Sequence, residues 1–361
     1  MKRIIFTLIT LLCLVGCNNT NIVIENNKIE EKKPDEMIEN KDTTVLEEPL
    51  EIHFIDVGQA DCILVKSNEE AMLIDAGNND DADLIKSYLK NQNIKELEYV
   101  IGTHPHEDHI GSLDIVINNF DIKNVIMPKK ATTTKTFEDV VKAIENKKLT
   151  ITLPKTGDKY NIGDAEFTIL SPVKEDYGSN LNNYSVAILL TYGENKFIFT
   201  GDAEKEVEED ILDTKINIDA DLMKMGHHGS TTSNAEEFLD KISPKIAVIT
   251  CGVDNSYGHP HQEILDTLIN RNVETYRTDL QGNIIVTSDG KNIEIKTEKN
   301  TVIETEKETD NTYVLNTNSK VFHEKTCDSV SKMSEKNKKE YTGKREDIIQ
   351  QGYKACGICR P

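Results

Sequence analysis

Positive charge is in short supply in this chain: 42 Lys and Arg stand against 63 Asp and Glu, for a formal net charge of −21. Long nucleic acids are held mainly through cation–phosphate contacts. This acidity therefore argues against a surface that grips a polynucleotide along its whole extent, unless the charges segregate. No apolar run at the N-terminus is long enough to cross a bilayer; the stretch from Ile4 to Val15 stops short of that length. Residues 18–49 are rich in Asn, Glu and Lys and poor in apolar positions, which excludes a core there and predicts a flexible spacer. Histidine is scarce as well. There are nine in 361 residues, and none between His109 and Asp202.

Against that scarcity, Thr103-His104-Pro105-His106-Glu107-Asp108-His109-Ile110-Gly111 packs three imidazoles and two carboxylates into six residues, directly after the strand-like run Leu97 to Ile101. Imidazole with carboxylate suits zinc, manganese or iron. Four such groups at H-x-H-x-D-H spacing cannot reach one ion from a single regular element, so a turn must present them. His104 and His106 are expected on an extended loop, and Asp108 and His109 at the opening of a helix that starts near Ile110. Two ions side by side then become the natural arrangement, with His104, His106, Asp108 and His109 as ligands.

This signature resembles that of the metallo-β-lactamase superfamily, and the likeness runs from 50 to 298. It implies an αββα sandwich with a dinuclear site, and it assigns roles to further residues. Asp75, closing the strand Ala71 to Ile74, matches the acid that orients a ligand histidine from behind. Asp202, after Lys196 to Gly201, matches the carboxylate that bridges two metals. His227 and His228, in Gly226-His227-His228-Gly229-Ser230, include the ligand that completes the second metal. We take His227 as that ligand and His228 as a phosphate or leaving-group contact; the sequence leaves their order open. His259, in Tyr257-Gly258-His259-Pro260-His261, is the candidate general acid, because an imidazole titrates near neutrality.

Asp56-Val57-Gly58-Gln59-Ala60-Asp61, Asn183-Tyr184-Ser185 and the two paired-histidine motifs narrow the likeness to the hydrolase domain of ComEC-type competence proteins. Asp61 joins Asp75 as an outer carboxylate. With no histidine between His109 and Asp202, the usual third imidazole on the first metal is missing. Asn183 stands near its place, a weak metal or substrate contact whose hard amide oxygen favours manganese. Two Zn or Mn ions are expected.

At the N-terminus, Lys2-Arg3, the apolar run and Leu14-Val15-Gly16-Cys17 resemble a bacterial lipoprotein signal over 1–17. Lipidation of Cys17 would place the protein outside the cytoplasm, anchored to the cell membrane. After the hydrolase domain at 50–298, a polar linker at 299–312 leads to a module at 313–361. His323, Cys327, Cys356 and Cys359 there have the spacing of a tetrahedral zinc site, and a module so small has little else to stabilise it. It resembles the metal-binding domain of the Ada repair protein, except that His323 stands where that family has its methyl-accepting cysteine. Disulfides are the competing reading in an exported protein, but any bridge leaves one thiol odd. Lys332, Lys336, Lys338, Lys339, Lys344 and Arg345 make the module basic, fit to capture DNA or an anionic cell-wall polymer.

The expected function is metal-dependent hydrolysis of a phosphodiester, with DNA as the substrate implied by the ComEC likeness. Alternatives are a phosphocholine, teichoic-acid or other small ester, and a surface nucleic-acid-binding protein whose metal site is vestigial. Fold alone does not choose among substrates.

Overall fold

Short runs of β-branched and aromatic residues dominate the chain from Leu50 onward, and in the computed structural model they pair into sheets. The structure describes residues 46, 48–299, 311–343, 345–357, 359 and 361. The signal segment with Cys17, nearly all of the spacer and most of the linker lie outside them.

The first sheet contains β1 (Leu50–Phe54), β2 (Ile63–Ser67), β3 (Glu70–Ile74), β4 (Glu96–Ile101), β5 (Asp121–Ile126) and β6 (Ile151–Thr152). The second contains β7 (Lys159–Ile162), β8 (Ala165–Ile169), β9 (Ile188–Tyr192), β10 (Asn195–Phe199), β11 (Leu222–Lys224), β12 (Ile246–Ile249) and β13 (Glu274–Arg277). Two last strands, β14 (Ile284–Ser288) and β15 (Ile293–Thr297), return to the first sheet beside β1, giving the orders β15-β14-β1-β2-β3-β4-β5-β6 and β13-β12-β11-β10-β9-β8-β7. The pairs from β3 to β6 are parallel, as are those from β10 to β13.

Alternation along each strand decides the layers. Ile52, Phe54, Ile63 and Val65 point inward and meet Phe167, Ile188, Phe197 and Phe199 of the facing sheet. Leu64, Leu73 and Val100 point outward against α1 (Ala82–Asn91), α3 (Leu113–Asn119) and α4 (Lys135–Asn146), α2 being the short turn Glu107–Ile110. On the other side, Ile198, Met223 and Ala247 pack against α5 (Lys205–Asp213), α6 (Glu236–Ile242) and α7 (Gln262–Asn270). Helices, sheet, sheet and helices are therefore stacked in four layers. Phe54 and Phe199 sit 6.1 Å apart at the centre of this stack. Truncating either to alanine is expected to cost about 3–5 kcal/mol.

The helix expected from Ile110 begins earlier, at Glu107, because His106 is extended and Glu107 and Asp108 occupy the first turn. At Gly111 the backbone of 77–79 passes so close that a Cβ would lie 2.3 Å from the Asn78 carbonyl carbon, so only glycine fits.

The C-terminal residues form a separate sheet of β16 (Asn311–Asn316), β17 (Val321–Glu324), β18 (Lys338–Gly343) and β19 (Lys354–Ala355), in the order β18-β16-β17-β19. Its apolar cluster contains Tyr313, Leu315, Phe322, Ile348 and Tyr353. No helix among the described residues is long and apolar enough to cross a membrane.

Candidate metal centre

Parallel strands deliver their C-terminal ends to one edge of the sandwich, where connecting loops are free to carry chemistry. β3 ends at Asp75, β4 leads to His104 and His106, β10 to Asp202, β11 to His227 and His228, and β12 to the loop carrying His259. His106, Asp108, Asp202, His227, His228 and His259 line a cleft of about 540 Å³ together with Gln59, Asn78, Asn182 and Tyr257.

Asp108, His109, Asp202 and His228 each point one donor atom into a group whose members lie within 4.8 Å of one another. His109 Nε2 is 3.1 Å from Asp202 Oδ2 and 3.6 Å from Asp108 Oδ2, and His228 Nε2 is 3.4 Å from Asp108 Oδ2 and 3.7 Å from Asp202 Oδ2. A tetrahedral ion with bonds of about 2.0–2.1 Å needs edges of about 3.3 Å. His109 Nε2, His228 Nε2 and Asp202 Oδ1 are buried without a hydrogen-bond partner. Buried polar atoms are seldom left so, and a divalent cation satisfies this set. Beside it, His104 Nε2 approaches His106 Nδ1 to 3.0 Å and Asp202 Oδ2 to 3.9 Å, a second donor group sharing Asp202.

An outer layer fixes the tautomers. His109 Nδ1 meets Asp75 Oδ2 at 2.8 Å, and Asp75 also accepts from the Thr103 N–H and hydroxyl. The His228 Nδ1–H donates to the Thr250 carbonyl at 2.8 Å, so its lone pair faces the site from Nε2. Asp61 is buried against Lys224 and the Thr250 hydroxyl. Burial opposes charge on Asp61 and Lys224, yet their mutual attraction outweighs it and keeps both ionised. Burial likewise opposes charge on His109, but Asp202, Asp108 and Asp75 hold its imidazole well above the usual range.

Three expectations change. It is His228, not His227, that joins the tight donor group: both residues are left-handed, with φ of 53° and 51°, and this turn swings His228 inward. His227 stays at the rim, one-fifth exposed, its Nδ1 2.9 Å from the Thr232 hydroxyl, although its Nε2 is still 3.6 Å from Asp202. Asn183 turns away, because its amide accepts from the Glu204 N–H and donates to Glu206; the neighbouring Asn182 lines the cleft instead. His259 is a poor cationic acid, since burial and then the neighbouring imidazoles of His227 and His228 press its pKa down to about 4. Lys224 escaped notice in the sequence. Its one signal was a lone cation inside the apolar run Leu222 to Met225.

The sequence profile of the Metallo-beta-lactamase superfamily matches residues 55–253, more than half of the chain. The chain belongs to the metallo-β-lactamase superfamily. Its curated relatives include ComEC-like competence proteins. It is 34% identical to ComE operon protein 3 of Bacillus subtilis over 252 residues, 65% of this chain and 32% of that one. Recombination protein 2 of Haemophilus influenzae is 27% identical over 241 residues, covering 65% and 28%, and competence protein ComA of Neisseria gonorrhoeae 26% over 231 residues, covering 63% and 30%. The chain thus spans about a third of the length of these relatives. Among the described residues a second superfamily-independent cluster, His323, Cys327, Cys356 and Cys359, brings four donor atoms within 4.8 Å, with His323 Nδ1 buried and unpartnered. No disulfide forms among the described residues.

Proposed function

We propose that the protein is a phosphodiesterase that cleaves nucleic acid outside the cytoplasm, tethered to the membrane through Cys17. The observation that carries this reading is the convergence of six donors, His104, His106, Asp108, His109, Asp202 and His228, of which His106, Asp108, Asp202 and His228 line one open cleft. Two divalent cations held there, zinc or manganese, supply Lewis-acid polarisation of a phosphoryl oxygen and a water that ionises near neutrality.

The chain's own groups do the rest. Asp202 and Asp108 would balance the cationic charge, and Asp202 joins the two donor groups. The Gln59 carbonyl oxygen accepts from the Gly252 N–H at 3.1 Å, which turns its amide N–H toward His259 Nδ1 at 3.4 Å. The neutral His259 ring therefore keeps its proton on Nε2, as a hydrogen-bond donor to a phosphoryl or departing oxygen. Tyr257, 68% exposed, stacks on His259 with centroids 5.7 Å apart and offers a flat face to a nucleobase at the rim.

One observation favours a smaller substrate: among the described residues no Lys or Arg lines the cleft, so none of them there follows a long phosphate backbone. A phosphocholine or teichoic-acid ester fits that feature, and so does nucleic acid delivered by the basic C-terminal module, whose cysteine cluster we read as a zinc site. The test is hydrolysis of linear DNA, bis-p-nitrophenyl phosphate and a phosphocholine ester with zinc or manganese, with His106→Ala and Asp202→Ala as controls. DNA cleavage lost in both variants supports the reading; activity that survives both overturns it, and turnover of the choline ester alone moves the substrate to the second class. Mass spectrometry of the mature N-terminus tests the anchor, which fails if Cys17 is unmodified.

A further inference from the structure

We propose that Asn182 completes the protein ligands of the ion at His104 and His106, adding an amide oxygen to two imidazoles and the shared Asp202 carboxylate; this rests on the two-metal reading above. Asn182 is 8% exposed, and its Oδ1 is buried with no hydrogen-bond partner while the residue lines the cleft with His106, Asp202 and His227. An amide oxygen left so is costly unless something positive meets it.

Its orientation is fixed by its neighbours. The Asn182 Nδ2–H donates to Glu204 Oε1 at 3.3 Å, and Glu204 Oε2 is held by the Asn180 amide at 2.8 Å. With the nitrogen end anchored to a carboxylate, a flipped amide would set oxygen against oxygen, so the oxygen belongs on the other side. Asn180 Oδ1 also accepts the Asn182 backbone N–H at 3.2 Å. The adjacent Asn183 cannot serve, since both ends of its amide are engaged by Glu204 and Glu206.

The turn that carries Asn182 is tied to the donor group of His104 and His106. Ser185 Oγ accepts from the Asp202 N–H at 3.1 Å and faces His104 Nδ1 at 3.3 Å, and the Val186 N–H donates to the Thr103 carbonyl at 2.9 Å. One short segment thus meets the backbone before His104, the ring of His104 and the shared carboxylate. Among the described residues no histidine lies between His109 and His227 to take this place. An amide oxygen is harder than an imidazole, so this site should bind zinc less tightly and accept manganese more readily than a three-histidine site.

The experiment compares metal content and affinity in the full chain for wild type, Asn182→Ala, Asn182→His and Asn183→Ala, by elemental analysis after dialysis and by competition with a chromophoric zinc chelator. Wild type should hold two ions in the sandwich beyond the one in the C-terminal module. Asn182→Ala should lose one of these or bind it at least about tenfold more weakly. Asn182→His should tighten zinc at the same site and reduce manganese uptake, and Asn183→Ala should keep the wild-type count. If Asn182→Ala fails to fold, the histidine variant decides: unchanged zinc affinity overturns the assignment. Two ions bound with wild-type affinity by Asn182→Ala overturns it too, leaving the dinuclear reading intact. A wild-type sandwich that binds no ion sinks the dinuclear reading itself.

Discussion

The two clusters of metal-binding side chains in this chain are built in opposite ways. Around the cleft, ligands come from strand ends separated by more than a hundred residues, behind them lie buried carboxylates and Lys224, and beneath them lies a large apolar core. In the C-terminal sheet, His323, Cys327, Cys356 and Cys359 accompany an apolar cluster with five buried side chains among the described residues. The first is a scaffold that positions an ion; the second is a small fold that an ion would hold together. Catalytic and structural metal sites differ in this respect, the one leaving open positions and the other closing the shell.

Removing metal should separate them most sharply. With a strong chelator the C-terminal sheet should unfold almost completely, because apparent zinc-binding energies of about 10–16 kcal/mol are folding energy in modules of this kind. The sandwich should lose activity but melt within a few degrees of the untreated protein. Hydrogen exchange resolved by peptide reads both regions at once, and protection persisting in 311–343 after chelation would erase the contrast. Next in size is Asp202→Ala, which removes the carboxylate shared by both donor groups. Its activity should drop at least about a thousandfold while the circular dichroism spectrum stays that of the folded chain.

How much of this was legible follows the same divide. The run from His104 to His109 announces itself because contiguous donors leave a dense local signal, and the C-terminal donors do so through the close spacing within each of two pairs. The strand-like runs Ala71 to Ile74 and Leu97 to Ile101 likewise fall on β3 and β4. Three features could not be read. The choice between His227 and His228 depends on two consecutive left-handed residues, a conformation that sequence does not display. That between Asn182 and Asn183 depends on what Glu204 and Glu206 do twenty residues later. Lys224 acts through Asp61, at the far end of the domain's sequence, so nothing local hinted at a pair.

That pair gives a third prediction. Lys224 and Asp61 are fully buried, and their ionised forms survive only because each offsets the other. Lys224→Met should leave an uncompensated carboxylate and cost about 3–5 kcal/mol in urea unfolding. Lys224→Met combined with Asp61→Asn should recover most of that stability while metal affinity stays about 10–100-fold low, since Asp61 stands behind His228 and His109. Additive losses in the double variant would show that the two residues act separately.

The smallest effect lies farthest from the ions. Glu208 on α5 is buried and accepts from the Asn234 N–H at 2.6 Å and the Ala235 N–H at 2.8 Å. Asn234 in turn bonds the Gly226 N–H, the Gly226 carbonyl and the Ser230 carbonyl, cradling the turn that presents His228. Burial pushes the Glu208 pKa up from 4.5 to about 7, against the pull of those two N–H donors. The folded chain then holds this proton more tightly than the unfolded chain does, so the Glu208 contribution to stability is greatest below pH 4.5 and declines as pH rises to about 7. Glu208→Gln should abolish that slope and, by setting an amide N–H against one of the two backbone donors, lower stability at neutral pH by about 1–3 kcal/mol. Denaturation midpoints at several pH values between 5 and 8 measure both effects. A variant with the wild-type slope would assign the titration elsewhere. Unchanged metal content would confine Glu208 to supporting the turn, whereas loss of an ion would extend the reach of the scaffold from α5 through Asn234 to His228.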